Sequence, residues 1–143
     1  MLAVLIIHLP VLPVADPYAP ETMNQWSRSA RTALKKEATS YLWSAATPAH
    51  LAFIRQLPDE APGKQQYVEF LKEAYGYNID RLNAAYGLSA SSFTDLYSFD
   101  YRALDLTRPA VRADDAAFLA SVNEILLAQA SRVTGKPVHL ASQ

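Results

Sequence analysis

The stretch LPDEAPGKQQYVEFLKEAYGYNIDRLNAAYGLSASSFTDL, residues 57–96, decides the fold. Pro58 ends a preceding helix, and Asp59-Glu60-Ala61-Pro62-Gly63 reads as a loop, since each proline drives its predecessor out of the helical region. From Lys64 to Tyr75 the apolar residues Tyr67, Val68, Phe70, Leu71, Ala74 and Tyr75 recur at three and four, the period of one helix face. Gly76 supplies the stop. Asn78 then caps a second short helix over 79–86, closed by Gly87. The stretch therefore reads as short helices joined by tight turns.

The same reading extends in both directions. Upstream, Thr47-Pro48 is a helix start with Thr as N-cap and Pro in the first turn, and Leu51, Ile54 and Leu57 mark a helix over 49–57. A longer helix is expected over 21–42, because Met23, Trp26, Ala30, Ala33, Leu34, Ala38, Tyr41 and Leu42 make one stripe. Arg28, Arg31, Lys35 and Lys36 lie mostly off it, as a solvated face. Downstream, residues 88–109 loosen into a loop with one helical turn near Ser92, pinned by Tyr97, Phe99, Tyr101 and Leu104. Asp114 and Asp115 open a helix running to Thr134, with Gly135 as its stop. At the ends, Leu2-Ala3-Val4-Leu5-Ile6-Ile7 has the length and composition of a buried strand, and Pro137 to Ala141 is a second short apolar run. The expected fold is mostly α, a bundle of about five helices with up to two short terminal strands, in a single domain over 1–143.

Composition excludes several functions. Thirteen basic and fourteen acidic residues leave a net charge of -1, so no footprint for a nucleic-acid backbone or an anionic membrane is present. With no Cys there is no thiolate metal site, Cys nucleophile or disulfide. His8, His50 and His139 match no metal-ligand spacing, and no cofactor motif appears, so neither metal nor cofactor is expected. The N-terminal apolar run is too short to span a bilayer, which takes about 20 residues. Two prolines interrupt it before Val14 and nothing basic precedes Arg28. That favours a strand over a signal peptide; the location stays open between cytoplasmic and, if the segment is a signal, secreted.

Three features invite a catalytic reading, and each has a plainer one. Asn123-Glu124 resembles the acid-bearing pair of retaining glycosidases but lies mid-helix, where a solvated polar face is expected. Asp59-Glu60 is a carboxylate pair whose adjacent members point apart in a polar loop. Six of the eight tyrosines fall between Tyr67 and Tyr101, which suits half-buried packing with a wet hydroxyl and a binding role for one or two.

Within residues 57–96, Phe70-Leu71-Lys72, Tyr75-Gly76, Ile79, Leu82-Asn83, Ala85 and Gly87 are followed by Ser92-Phe93 and Leu96. This pattern resembles a segment of agarase-like and β-galactosidase-like glycoside hydrolases. Asp16-Pro17-Tyr18-Ala19-Pro20 is similar to the turn before a barrel helix in such enzymes. The helix from Asp114 with Lys136 to Leu140 is similar to the helix and strand after their lid. The resemblance extends over residues 16–142, and its specific part is the forty-residue stretch. It implies part of a (β/α)8 barrel; a whole one needs about 250 residues.

In those enzymes a strand ending in Asn-Glu supplies the general acid/base between the first helix and the lid. Here Tyr41-Leu42-Trp43-Ser44-Ala45-Ala46-Thr47 holds that interval and contains no carboxylate. The nucleophile's strand would lie beyond Gln143. Retaining hydrolysis needs two carboxyl groups about 5 Å apart. The expectation is a reduced glycoside-hydrolase-like domain, carbohydrate-related and without its own catalytic pair. Trp43 and Tyr97, in segments read as irregular, are the candidate substrate-binding residues; no catalytic residue is assigned. The competing reading is a small helical module that binds a protein partner or a second copy of itself. A complete hydrolase would require Glu60 or Glu69 to act, for which no partner carboxylate is evident.

Overall fold

A computed structural model describes residues 4–141. In chain order the elements are β1 (Ile6–His8), α1 (Pro20–Thr32), β2 (Ser40–Ser44), α2 (Pro48–Arg55), α3 (Pro62–Ala74), α4 (Ile79–Tyr86), α5 (Asp95–Ser98), a 3-10 turn (Tyr101–Ala103), α6 (Pro109–Thr134) and β3 (Val138–Ala141). The chain is mostly helical, as expected. Proline stands in the first turn of α1, α2, α3 and α6, where its missing N–H costs nothing. Left-handed glycines, Gly87 and Gly135, close α4 and α6.

The three strands form one parallel sheet in the order β1-β2-β3. Tyr41 lies level with Ile7 on one side and Val138 on the other. The expected terminal strands therefore do not pair with each other. Residues 40–44, predicted as the end of a long helix and its exit, are instead a central strand between them. α1 stops at Thr32, because the stripe through Ala33, Leu34 and Ala38 is also compatible with a loop packed on the core. Beyond it Tyr41 and Trp43 alternate inward with period two. The N-terminal strand is an edge rather than a buried strand, and Leu2 and Ala3 of the predicted run lie outside the described residues.

Sequential order with right-handed crossovers puts both connecting helices on the same face of the sheet. α1 and α6 pack on each other there, joined by a 2.9 Å bond from Gln129 Nε2 to Ser27 Oγ. Under them lie Trp26 and Trp43, whose rings are 5.1 Å apart, and the α6 residues Phe118, Val122, Leu126 and Ala130, which recur every fourth position. The opposite face carries Val4, Ile6, His8, Ser40, Leu42, Ser44 and His139. No described residue covers it: Val4 is 74% and Ile6 47% exposed. A parallel sheet in sequential strand order with helices on one side only is the arrangement of a (β/α)-barrel sector, not of a doubly wound sheet covered on both faces.

Candidate functional site

In parallel α/β folds, ligands meet the loops at the C-terminal ends of the strands. Here the connection after β2 is enlarged: residues 45–108 form α2 to α5 and the 3-10 turn before the chain returns through α6. The mouth beneath this excursion is tied by hydrogen bonds. Asn123 Oδ1 on α6 accepts from the backbone N–H of Ala46, at 2.7 Å, just past the end of β2. The pair singled out by sequence is thus split, with Glu124 exposed and Asn123 serving as a strap rather than a solvated side chain. Thr47 and His50 form a capping box, and His50 Nε2 lies 3.3 Å from the carbonyl oxygen of Leu12 in the loop after β1.

Asp16 is the one carboxylate in the loop between β1 and α1. It is buried and accepts two backbone N–H bonds, from Tyr18 at 2.9 Å and from Gly63 at 2.8 Å. The second bond reaches the first turn of α3, where the positive end of the helix dipole favours an anion. Gly63 must be glycine, because a Cβ there would lie 2.3 Å from Asp16 Oδ1. Between Ser44 and α2 no carboxylate follows β2. The Asp59-Glu60 pair is exposed, in the turn before α3.

The tyrosine set divides by partner. Tyr75 Oη and Tyr86 Oη both donate to Asp114 Oδ2, at 2.5 and 2.7 Å, and Tyr101 Oη donates to the Leu96 carbonyl at 2.7 Å. Tyr67 Oη accepts from Arg55 Nε at 3.1 Å, and Arg55 also pairs with Asp115. These hydroxyls are bonded inside the protein, so the expectation of wet tips does not hold for them. Burial pushes Tyr67 up to about 12, opposed by Arg55, and burial together with Asp114 raises Tyr75 and Tyr86 further. Among the described residues, the hydroxyls of Tyr77 and Tyr97 have no hydrogen-bond partner. Tyr77 is exposed and has a positive φ; Tyr97 is half-buried.

Trp43 and Tyr97 are not brought together. Trp43 is not in an irregular segment: it occupies β2, faces the helices and is 1% exposed, so its ring serves the core. Its Nε1 is buried with no hydrogen-bond partner. Tyr97, on α5, lines a cavity of about 300 Å³ with Arg55, Lys64, Phe99, Asp100, Tyr101 and Arg102. That volume lies at the lower end of small-molecule sites. Sequence reading found Tyr97 but did not single out Arg55 or Lys64, which fell only within the ranges read as helices, 49–57 and 64–75. The one available signal was their position at the end of one helix and the start of the next, flanking Pro58 and Pro62.

No protein-family model and no curated protein matches the chain. Solved structures do. It is similar to an exo-β-agarase (TM-score 0.67, 16% identity), to PfGH50B (0.68, 11%) and to an agarase, AgWH50C (0.61, 14%). The matches take in 95–96% of this chain and 23–24% of theirs, so it spans about a quarter of the length of these structures. At such identities the likeness is one of fold alone: the fold is distantly similar to part of these agarase structures. Among the described residues no helix is long and apolar enough to cross a membrane.

Proposed function

We propose that this chain is a sector of a glycoside-hydrolase-like barrel that contacts carbohydrate through its inserted helices and has no catalytic carboxylate pair of its own. The observation that carries the reading is the sheet: three sequential parallel strands with both crossover helices on one face, matched to agarases over nearly the whole chain. The inserted helices stand over the strand ends, where such folds meet their ligands. Tyr97 supplies an aromatic face with a free hydroxyl beside a cavity, the combination that receives the apolar face and polar rim of a sugar ring. Asp16, the carboxylate nearest in sequence to the end of β1, is consumed by two backbone bonds, and none follows β2 directly. Both facts support the absence of a pair.

Isothermal titration of the purified chain with galactose-type oligosaccharides tests the proposal. Saturable heat that is lost in Tyr97→Ala is expected, with no new reducing ends over time. No heat from the wild type removes the carbohydrate reading. A hydrolysis rate abolished by changing Glu60 or Glu69 overturns the inactive one. A second reading, self-association, is favoured by the open sheet face and by the outer edges of β1 and β3, which pair with no strand among the described residues, since unpaired edges template strand addition. Sedimentation showing a monomer at all concentrations excludes it.

A further inference from the structure

The cavity beside Tyr97 has an uneven charge. Arg55 is paired with Asp115, and Arg102 is held by Asp100 through Nε at 2.9 Å and Nη2 at 3.0 Å. Lys64 has no such partner: it forms no ion pair with any described carboxylate, although it is only 2% exposed. Its Nζ donates to the carbonyl oxygens of Arg55 at 2.5 Å and Leu57 at 3.3 Å, and stands 5.0 Å from the centre of the Tyr101 ring. The first ends α2 and the second lies two residues past it, so Lys64 on α3 caps a neighbouring helix. The cap explains where the ammonium sits but supplies only partial charges. A buried ammonium is ordinarily matched by a full anion. Burial accordingly lowers the pKa of Lys64, with exposed Asp59 opposing weakly.

We infer that this cavity is a subsite for an acidic sugar unit, its carboxylate or sulfate ester facing Lys64 and Arg102 and its ring lying against Tyr97. The inference rests on the carbohydrate reading above and adds the charge of the ligand to it. The lining has the required chemistry: Arg55 and Lys64 at the end of α2 and the start of α3, Arg102 in the 3-10 turn, and the aromatic rings of Tyr97 and Phe99. Arg102 is largely exposed, so it can exchange Asp100 for a ligand oxygen at little cost. The amide carbonyls that hold Lys64 accept two of the ammonium's three N–H bonds, which leaves one donor for an anion.

The test is amide-resolved NMR titration of the whole chain with four probes: a galactose-containing disaccharide that is neutral, sulfated or uronic, and inorganic sulfate. Either acidic disaccharide should bind about tenfold tighter than the neutral one, the size of one hydrogen bond to a charged group. Added salt should erase that margin. Shifts should centre on residues 97–102. Arg102→Gln should reduce the preference and Tyr97→Ala should weaken all three saccharides, while Lys64→Met should abolish the preference if it folds. Equal binding of neutral and acidic disaccharides overturns this inference and leaves the carbohydrate reading standing. Sulfate binding as tightly as the sulfated sugar, with Tyr97→Ala silent, identifies a simple anion site and also overturns it. Binding of no saccharide overturns both readings.

Discussion

Asp16 and Gly63 show how one contact joins segments that the sequence presents separately. The turn Asp16-Pro17-Tyr18 was legible, because the two prolines and an Asp that bonds the N–H two residues on are local chemistry. Its bond to Gly63, 47 residues away, was not, because no local signal encodes a tertiary tie. Gly63→Ala is expected to destabilise by about 1–3 kcal/mol through overpacking. Asp16→Ala should cost a similar amount, since it leaves two N–H donors unpartnered, one of them buried. Urea unfolding measures both.

The tyrosines carry a pH signature. Tyr67 is raised to about 12 against an unfolded value near 10, so the unfolded chain releases that proton first as pH rises. Its contribution to stability is complete below pH 10 and is lost as pH climbs towards 12. Tyr75, Tyr86 and Tyr101, also raised, act in the same direction. Unfolding midpoints should therefore fall steadily above pH 10, and ultraviolet titration should show these tyrosines ionising late and together with unfolding.

Among the elements, the helices were readable and the central strand was not. Pro at a first turn, Asn78 as a cap and Gly87 as a stop are local devices, and α4 has the predicted bounds. α6 starts at Pro109 rather than Asp114, since Pro109 fixes a first turn that the reading assigned to loop. β2 escaped because Tyr41 and Leu42 prolong a helical stripe by coincidence, and only pairing on both sides makes five residues a strand. Trp43 was misread with it. Asn123→Ala should cost about 1–2 kcal/mol by leaving the Ala46 N–H without its acceptor, and Asn123→Asp should recover part of it. Gly87→Ala is expected to cost about 1–2 kcal/mol, because its φ is +68° and an added Cβ would meet Arg108, whose guanidinium caps α4.

At the scale of the whole molecule, one sheet face is covered and the other is open. Val4→Asp on the open face should change stability by less than about 0.5 kcal/mol, whereas Leu82→Ala on the buried side of α4, within the inserted helices, should cost about 2–5 kcal/mol. The mostly helical class was legible from helix stripes and stops such as those at 70–87, whereas the barrel sector was implied only by the resemblance of residues 57–96 to glycoside hydrolases. The groove was not, because Arg55 and Lys64 meet only when α2 and α3 fold back on each other. The central claim, that a sugar is met at the inserted helices rather than on the sheet, is tested most directly by mapping a bound neutral galacto-oligosaccharide onto the assigned amide resonances. Saturable shifts at Tyr97, Phe99 and Arg102 with β1 unchanged are expected. Shifts confined to Val4, Ile6 and His8, or none at all, would contradict the account.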